Sequence, residues 1–441
     1  MNMDILSIIE KKQRRLSLSD EEIAFVVRGA ADGSIPDYQL SAFLMAVWFN
    51  GMTDAETAAM TVCMAQSGDM LDLGAVDGIK ADKHSTGGIG DKTTLIACPL
   101  AASAGCGVRV AKLSGRALGY TGGTIDKLES IPGFRTSLSA MEFVSVVNRT
   151  GICIAGQTGS LVPADKRLYA LRDVTSTVDS IPLIAASVMS KKLAGGSDVI
   201  VLDVKFGSGA FMKTPQDAEK LARLMVSVGN RLGRRTAALI TDMDEPLGRA
   251  VGNSLEVAEA CRILSGEKGG RLAELSKIIA AEMLSAAGAG SPRHCRELAD
   301  GALASGRALE TLAETVAAQG GDASYVYDPS RFGTAAECAD IVSQSDGYVA
   351  RADAGVIGRL AYALGAGRPD KDARIDSSAG VLIRRERGEY VKKGEVLATL
   401  YSQSRRRVEN ALAAAGGAFV LSDSPPEPKE LVYKIIRQGD V

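Results

Sequence analysis

The segment Lys83-His84-Ser85-Thr86-Gly87-Gly88-Ile89-Gly90-Asp91-Lys92-Thr93-Thr94 has residue types and spacing suited to holding an anion. Its glycines let backbone N–H groups converge on one point. Thr93 to Ser103 reads as a helix, so the positive end of that helix faces the same point. Ser85 and Thr94 add hydroxyl donors, and Lys83 adds charge. A nucleotide P-loop would need glycine where Thr86 and Asp91 stand, so that reading fails. A glycine-rich turn without a ligand is the competing interpretation of this segment alone. A second run weakens it. Lys112 to Thr124 again combines Lys, Ser, Thr and four glycines, after what reads as the first strand of an α/β domain. Open α/β sheets bind ligands at the carboxyl ends of their strands. Two such loops would make a two-sided phosphate clamp.

A second pattern lies on a helix beginning at Pro182. Ile184, Ser187, Val188 and Lys191 stand at i, i+3, i+4 and i+7, one stripe with two apolar walls and two polar groups. That suits a flat polar base. It equally fits a core stripe ending in a snorkelling lysine, and the residues alone do not choose. Arg172 taken alone reads as a surface ion pair. Only two histidines are present. A three-histidine metal site is therefore excluded. His84 is flanked by Lys83 and Ser85, whereas His294 has no such neighbours and reads as structural.

These residues need a frame. Ser19 with Glu22, and Thr53 with Glu56, are capping boxes for helices in a small N-terminal helical domain. Beyond about Lys80, apolar runs at Val108–Lys112, Gly151–Ala155, Val199–Val204 and Arg235–Thr241 alternate with helical stretches. That is the signature of an α/β domain with a mainly parallel sheet. Leu161 to Leu193 interrupts it with polar turns and then a helix. From about Ser343, Gly355–Leu360 and Gly388–Leu400 alternate apolar and polar residues between glycines, reading as a C-terminal β-rich α+β subdomain. A biotinyl or lipoyl carrier would need a lysine where Ile375-Asp376-Ser377-Ser378-Ala379-Gly380 stands.

With these residues in view, Lys83 to Asp91 and Ser114-Gly115-Arg116-Ala117-Leu118-Gly119-Tyr120-Thr121-Gly122-Gly123-Thr124-Ile125-Asp126-Lys127-Leu128-Glu129-Ser130 resemble the thymidine and pyrimidine-nucleoside phosphorylases. The resemblance continues through Ala164-Asp165-Lys166 to Lys192, through Asp203 to Met212, and into the C-terminal part. It implies reversible phosphorolysis of uridine, thymidine or deoxyuridine, giving free base and a pentose 1-phosphate. It implies a homodimer with a hinged cleft. The helical domain would span 1–67 and 164–195, the α/β domain 80–155 and 197–342, and the C-terminal subdomain 343–441. Phosphate would meet Lys83, Ser85, Thr94, Lys112, Ser114 and Thr124. The base would meet Leu118, Tyr169, Arg172, Ile184, Ser187, Val188, Lys191 and Phe211. His84, Arg172, Ser187 and Lys191 would carry catalysis, with His84 donating as the glycosidic bond breaks. Ala117 and Tyr120 depart from the family's usual Gly and His.

No cofactor is expected beyond phosphate as co-substrate. Bacterial relatives bind potassium, and the resemblance implies ligands here at Gly90, Leu247, Ala250 and Glu259. Residue 92 is Thr in potassium binders and Lys here, so Lys92 is expected to fill that site itself. The rival readings are a phosphoribosyltransferase of similar architecture, which would need an acidic metal pair, and a non-catalytic nucleoside-binding protein. A net charge of -2 gives no reason to expect nucleic acid, and no run of eighteen apolar residues suggests a membrane span. Met1–Arg15 lacks a signal-peptide pattern. Seven scattered cysteines without a C-x-x-C pair fit reduced thiols and a cytoplasmic setting.

Overall fold

The computed structural model describes residues 3–116, 122–156, 160–368 and 374–441. Four N-terminal helices open the chain: α1 (Ile5–Gln13), α2 (Asp20–Asp32), α3 (Asp37–Asn50) and α4 (Asp54–Ala65). Both expected capping boxes form, Ser19 with Glu22 and Thr53 with Glu56.

The α/β part is built on β1 (Ile79–Ser85), β2 (Val108–Ser114), β3 (Ile152–Gly156), β4 (Val199–Phe206) and β5 (Arg235–Asp242). These pair in parallel in the order β5-β4-β1-β2-β3, and the last strand, Val432–Ile436, adds antiparallel to β5. The first strand of the domain is thus β1, not the Val108 strand. Ile79-Lys80-Ala81-Asp82-Lys83-His84-Ser85 reads as polar, yet it lies in the sheet interior between β2 and β4. Its buried charges, Asp82 and Lys83, each find a partner. Asp82 pairs with Lys192 at 2.7 Å, and Lys83 donates to Thr93 at 2.6 Å.

Helices α5 (Thr93–Ala102), α6 (Thr124–Leu128) and α7 (Ala140–Thr150) follow the first strands. The 161–193 stretch holds two helices, α8 (Pro163–Val174) and α9 (Ile181–Ala194). Leu168 of α8 and Leu183 of α9 join Ile8, Val26, Phe43 and Leu44 in one apolar core, together with Ala111, Leu113 and Cys153 of the sheet. The helical bundle therefore packs on one sheet face. The opposite face is covered by α5 and the helices after β5, including Asn253–Leu264 and Gly270–Ala286, packed through Ile96, Leu100, Leu264 and Leu275.

The C-terminal part carries two small sheets, one formed by Ala250–Val251, Gly380–Ile383, Val396–Ser402 and Glu337–Val342. Gly355–Leu360, read as β-like, is instead within the helix Ala354–Ala361. Asp353 caps it, accepting from the Val356 N–H at 2.9 Å, and Ile357, Leu360 and Ala361 form its buried face. The i, i+3, i+4 spacing of those three residues outweighs the alternation suggested by the glycines.

Candidate active site

The strand order turns at β1: the chain runs outward through β2 and β3, then returns to the other side with β4. Such a switch point opens a crevice at the strand carboxyl ends. A cavity of about 370 Å³ lies there, within the range of small-molecule sites.

Its sheet side is lined by His84 and Ser85 at the end of β1, Thr94 in the first turn of α5, Lys112 and Ser114 of β2, and Thr124 at the start of α6. The first glycine loop is held from behind. The Thr86 N–H donates to Asp203 O at 3.0 Å, and Lys205 N–H donates to Thr86 Oγ1 at 3.0 Å. A Cβ on Gly88 would lie 2.6 Å from the Met243 methyl and 2.7 Å from the Lys205 side chain, both of which would have to shift.

Lys83 is not on the cavity wall. It is fully buried behind the loop, with Asp203 at 3.7 Å and Asp91 at 3.9 Å. Lys205, also buried, bonds Asp203 at 2.8 Å. Asp91 stands among Lys205, Lys83 and Lys127, and despite its burial these lysines hold its carboxyl well below the usual range.

The helical side presents Tyr169 and Arg172 of α8 with Ile184, Ser187, Val188 and Lys191 of α9, and Phe211 and Met212 close it from beyond β4. The α9 stripe thus borders the cavity, while Val188 and Ile184 also pack against the apolar cluster of Leu202, Leu221 and Met225. Lys191 contacts Ser187 Oγ at 3.0 Å and Asp165 at 2.6 Å, and lies over the Tyr169 ring. Arg172 is no surface ion pair. It is buried, and its guanidinium donates to the carbonyls of Thr177, Val178 and Leu183. It both borders the cavity and ties down the turn between α8 and α9. Leu118 lies outside the described residues, as do Ala117 and Tyr120. His294 is exposed on the helix Pro292–Ala304 and does not line the cavity.

His84 sits amid burial and four lysines, Lys192, Lys112, Lys191 and Lys83. Desolvation first, and then those charges, push its pKa well below the ordinary 6.5. At neutral pH the ring is neutral: it can donate one N–H hydrogen bond but holds no extra proton to give. Lys192 is a cavity residue that the motifs did not single out. It bonds Asp82 and the Leu113 carbonyl, and burial lowers its pKa to about 8. No local signal marks it, since its partner stands 110 residues earlier.

Three comparisons with known proteins bear on this cavity. Residues 6–68 match the helical bundle domain of the glycosyl transferase family, and residues 77–309 match its a/b domain. Residues 348–422 match the pyrimidine nucleoside phosphorylase C-terminal domain. The chain is 49% identical to pyrimidine-nucleoside phosphorylase of Geobacillus stearothermophilus, over 98% of this chain and 99% of that one. The chain belongs to the pyrimidine-nucleoside phosphorylase family. The Bacillus subtilis member is 48% identical, over 99% of this chain and all of its own length. Anthranilate phosphoribosyltransferase from Thermus thermophilus superposes with a TM-score of 0.58 at 21% identity, covering 70% of this chain and 98% of that one. At that identity the likeness concerns the fold.

At the position where the resemblance implies a cation, a side chain stands. Lys92 is buried, and its ammonium lies 2.7 Å from Ala250 O and 2.6 Å from Glu259. Gly90 adopts φ +68, and a Cβ there would meet Leu247 O at 2.7 Å and Ala250 O at 3.1 Å. Ala250 O and Glu259 thus already accept from an ammonium, so these two groups do not fit a potassium ion as well. Among the described residues, no group of three or more His, Cys, Asp or Glu is arranged to hold a metal. Among them, too, no helix is long and apolar enough to cross a membrane.

Proposed function

We propose that this cavity performs reversible phosphorolysis of pyrimidine nucleosides, uridine, thymidine and deoxyuridine among them. The observation that carries this reading is one cavity joining Ser85, Thr94, Lys112, Ser114 and Thr124 to Tyr169, Arg172, Ser187 and Lys191. The first group suits an anion and the second a flat polar ring.

A phosphate oxygen attacks C1′ of the sugar as the bond from C1′ to the base nitrogen breaks. By analogy with glycoside cleavage, the transition state is oxocarbenium-like. The bonding pair leaves with the pyrimidine and spreads onto its carbonyls, where positioned donors lower the barrier. Lys191 and the remaining N–H groups of Arg172 serve the carbonyls, Ser187 serves N3, and His84 serves the 2-carbonyl through its neutral N–H. The nucleophile is phosphate itself, so no protein nucleophile is needed. Lys92 takes the place of potassium, and the reaction needs no added cation.

The active form is a homodimer. Helix α3 leaves Tyr38, Trp48 and Phe49 exposed, with Val174 of α8 also exposed. Clustered exposed aromatic surface suits a second copy of the chain. The seven cysteines are free thiols, which fits a reducing, cytoplasmic setting. Phosphorus NMR tests the chemistry: inorganic phosphate should be consumed as a pentose 1-phosphate appears, and an unchanged phosphate signal with nucleoside present would refute it.

A further inference from the structure

Helix α6 begins at Thr124, on the cavity wall, and carries two buried charges, Asp126 and Lys127. Asp126 is almost wholly buried, and its Oδ1 accepts from Arg116 at 3.1 Å and from Arg368 at 2.9 Å. Arg116 lines the cavity and is also forked onto Glu129, which in turn accepts from Thr136. Arg368 comes from the C-terminal part, 242 residues further along the chain.

The neighbouring charge has a different attachment. Lys127 bonds Glu256 at 2.7 Å and the Asp91 carbonyl at 2.7 Å, joining α6 to the first glycine loop and to the helix Asn253–Leu264. Lys127 therefore links parts of the α/β domain to one another, whereas Asp126 links the second glycine loop to the C-terminal part. A buried carboxylate keeps its place only with charged partners and satisfied hydrogen bonds. Arg368 is the better shielded of its two guanidinium partners, 23% exposed against 49% for Arg116.

We propose that Arg368 is a positioning residue for the phosphate end of the cavity: through Asp126 it sets where Arg116 and Thr124 stand. The inference rests on reading Thr124 as a phosphate donor. It gives the C-terminal part a share in co-substrate binding although none of that part's described residues lines the cavity.

The test is steady-state kinetics on the full-length enzyme with Arg368→Ala, Arg368→Lys and Thr124→Val, varying phosphate and uridine separately. Arg368→Ala should raise KM for phosphate by about 3- to 30-fold, the range of coupling through packed networks. KM for uridine should stay within about twofold, and Arg368→Lys should recover part of the loss. If Thr124→Val raises the phosphate KM but Arg368→Ala does not, the coupling is refuted. Equal damage to both KM values, or a fall in kcat alone, would show a general structural role and overturn the inference. An unchanged phosphate KM in Thr124→Val would overturn the phosphate reading and this inference with it.

Discussion

The ammonium of Lys191 lies 2.6 Å from the carboxylate of Asp165, bridging the two helices that form the helical side of the cavity. Asp165 is buried, and its Oδ1 has no hydrogen-bond partner among the described residues. Lys191→Ala should therefore do two separable things. It should cost about 2–4 kcal/mol of transition-state stabilisation, as for oxyanion donors elsewhere. It should also strand a buried charge. The double variant Lys191→Ala/Asp165→Asn should regain melting temperature without regaining kcat/KM. Restored activity in the double variant would remove Lys191 from the chemistry.

Arg172 has a structural burden as well. Three backbone carbonyls, those of Thr177, Val178 and Leu183, accept from it inside the protein. Arg172→Ala should lower stability by about 2–5 kcal/mol, since buried groups left unpaired keep their desolvation cost. Thermal denaturation with and without substrate checks this. A melting temperature equal to that of the parent would contradict it.

For His84 the expected form at neutral pH is the neutral ring. His84→Ala should lower kcat by about 10²-fold, and His84→Gln, which keeps a neutral N–H donor, should retain more activity. The folded pKa lies below the unfolded 6.5. Below about pH 6.5 the unfolded chain binds a proton that the folded chain refuses. Stability from this group is thus intact above about 6.5 and lost as pH falls toward the folded value. Imidazole proton NMR, assigned with the help of His294→Ala, should show the His84 signal unchanged through neutral pH. A midpoint at or above 6.5 would refute a neutral ring.

Lys92 and Glu259 lead to a prediction about ions. Activity in sodium-only buffer should match activity with potassium added. Lys92→Thr should create a potassium requirement, because Ala250 O and Glu259 would then face an uncompensated site. Strong potassium activation of the parent chain would overturn this reading.

The apolar strands β2 to β5 were legible because buried parallel strands are continuous apolar runs. Strand β1 was not, since Asp82, Lys83, His84 and Ser85 look like a loop until their partners arrive from Thr93, Lys192 and Asp203. The helix Ala354–Ala361 is hidden by Gly355 and Gly358, which suggest a β-like alternation where Asp353 in fact caps a helix. The glycine loops and the α9 stripe stand out by spacing, but spacing alone leaves open whether either meets a ligand. What local spacing cannot show is which buried lysine faces a ligand and which faces a carboxylate. Both Lys83 and Lys192 meet carboxylates, but the first sits behind the wall with Asp91 and Asp203, whereas the second, paired with Asp82, also lines the cavity.

The most direct measurement of the central claim is base release from uridine, thymidine, deoxyuridine and cytidine, each with and without inorganic phosphate. Free uracil or thymine should appear only with phosphate, matched mole for mole by ribose or deoxyribose 1-phosphate. Base release without phosphate, or nucleoside binding with no turnover in its presence, would contradict it.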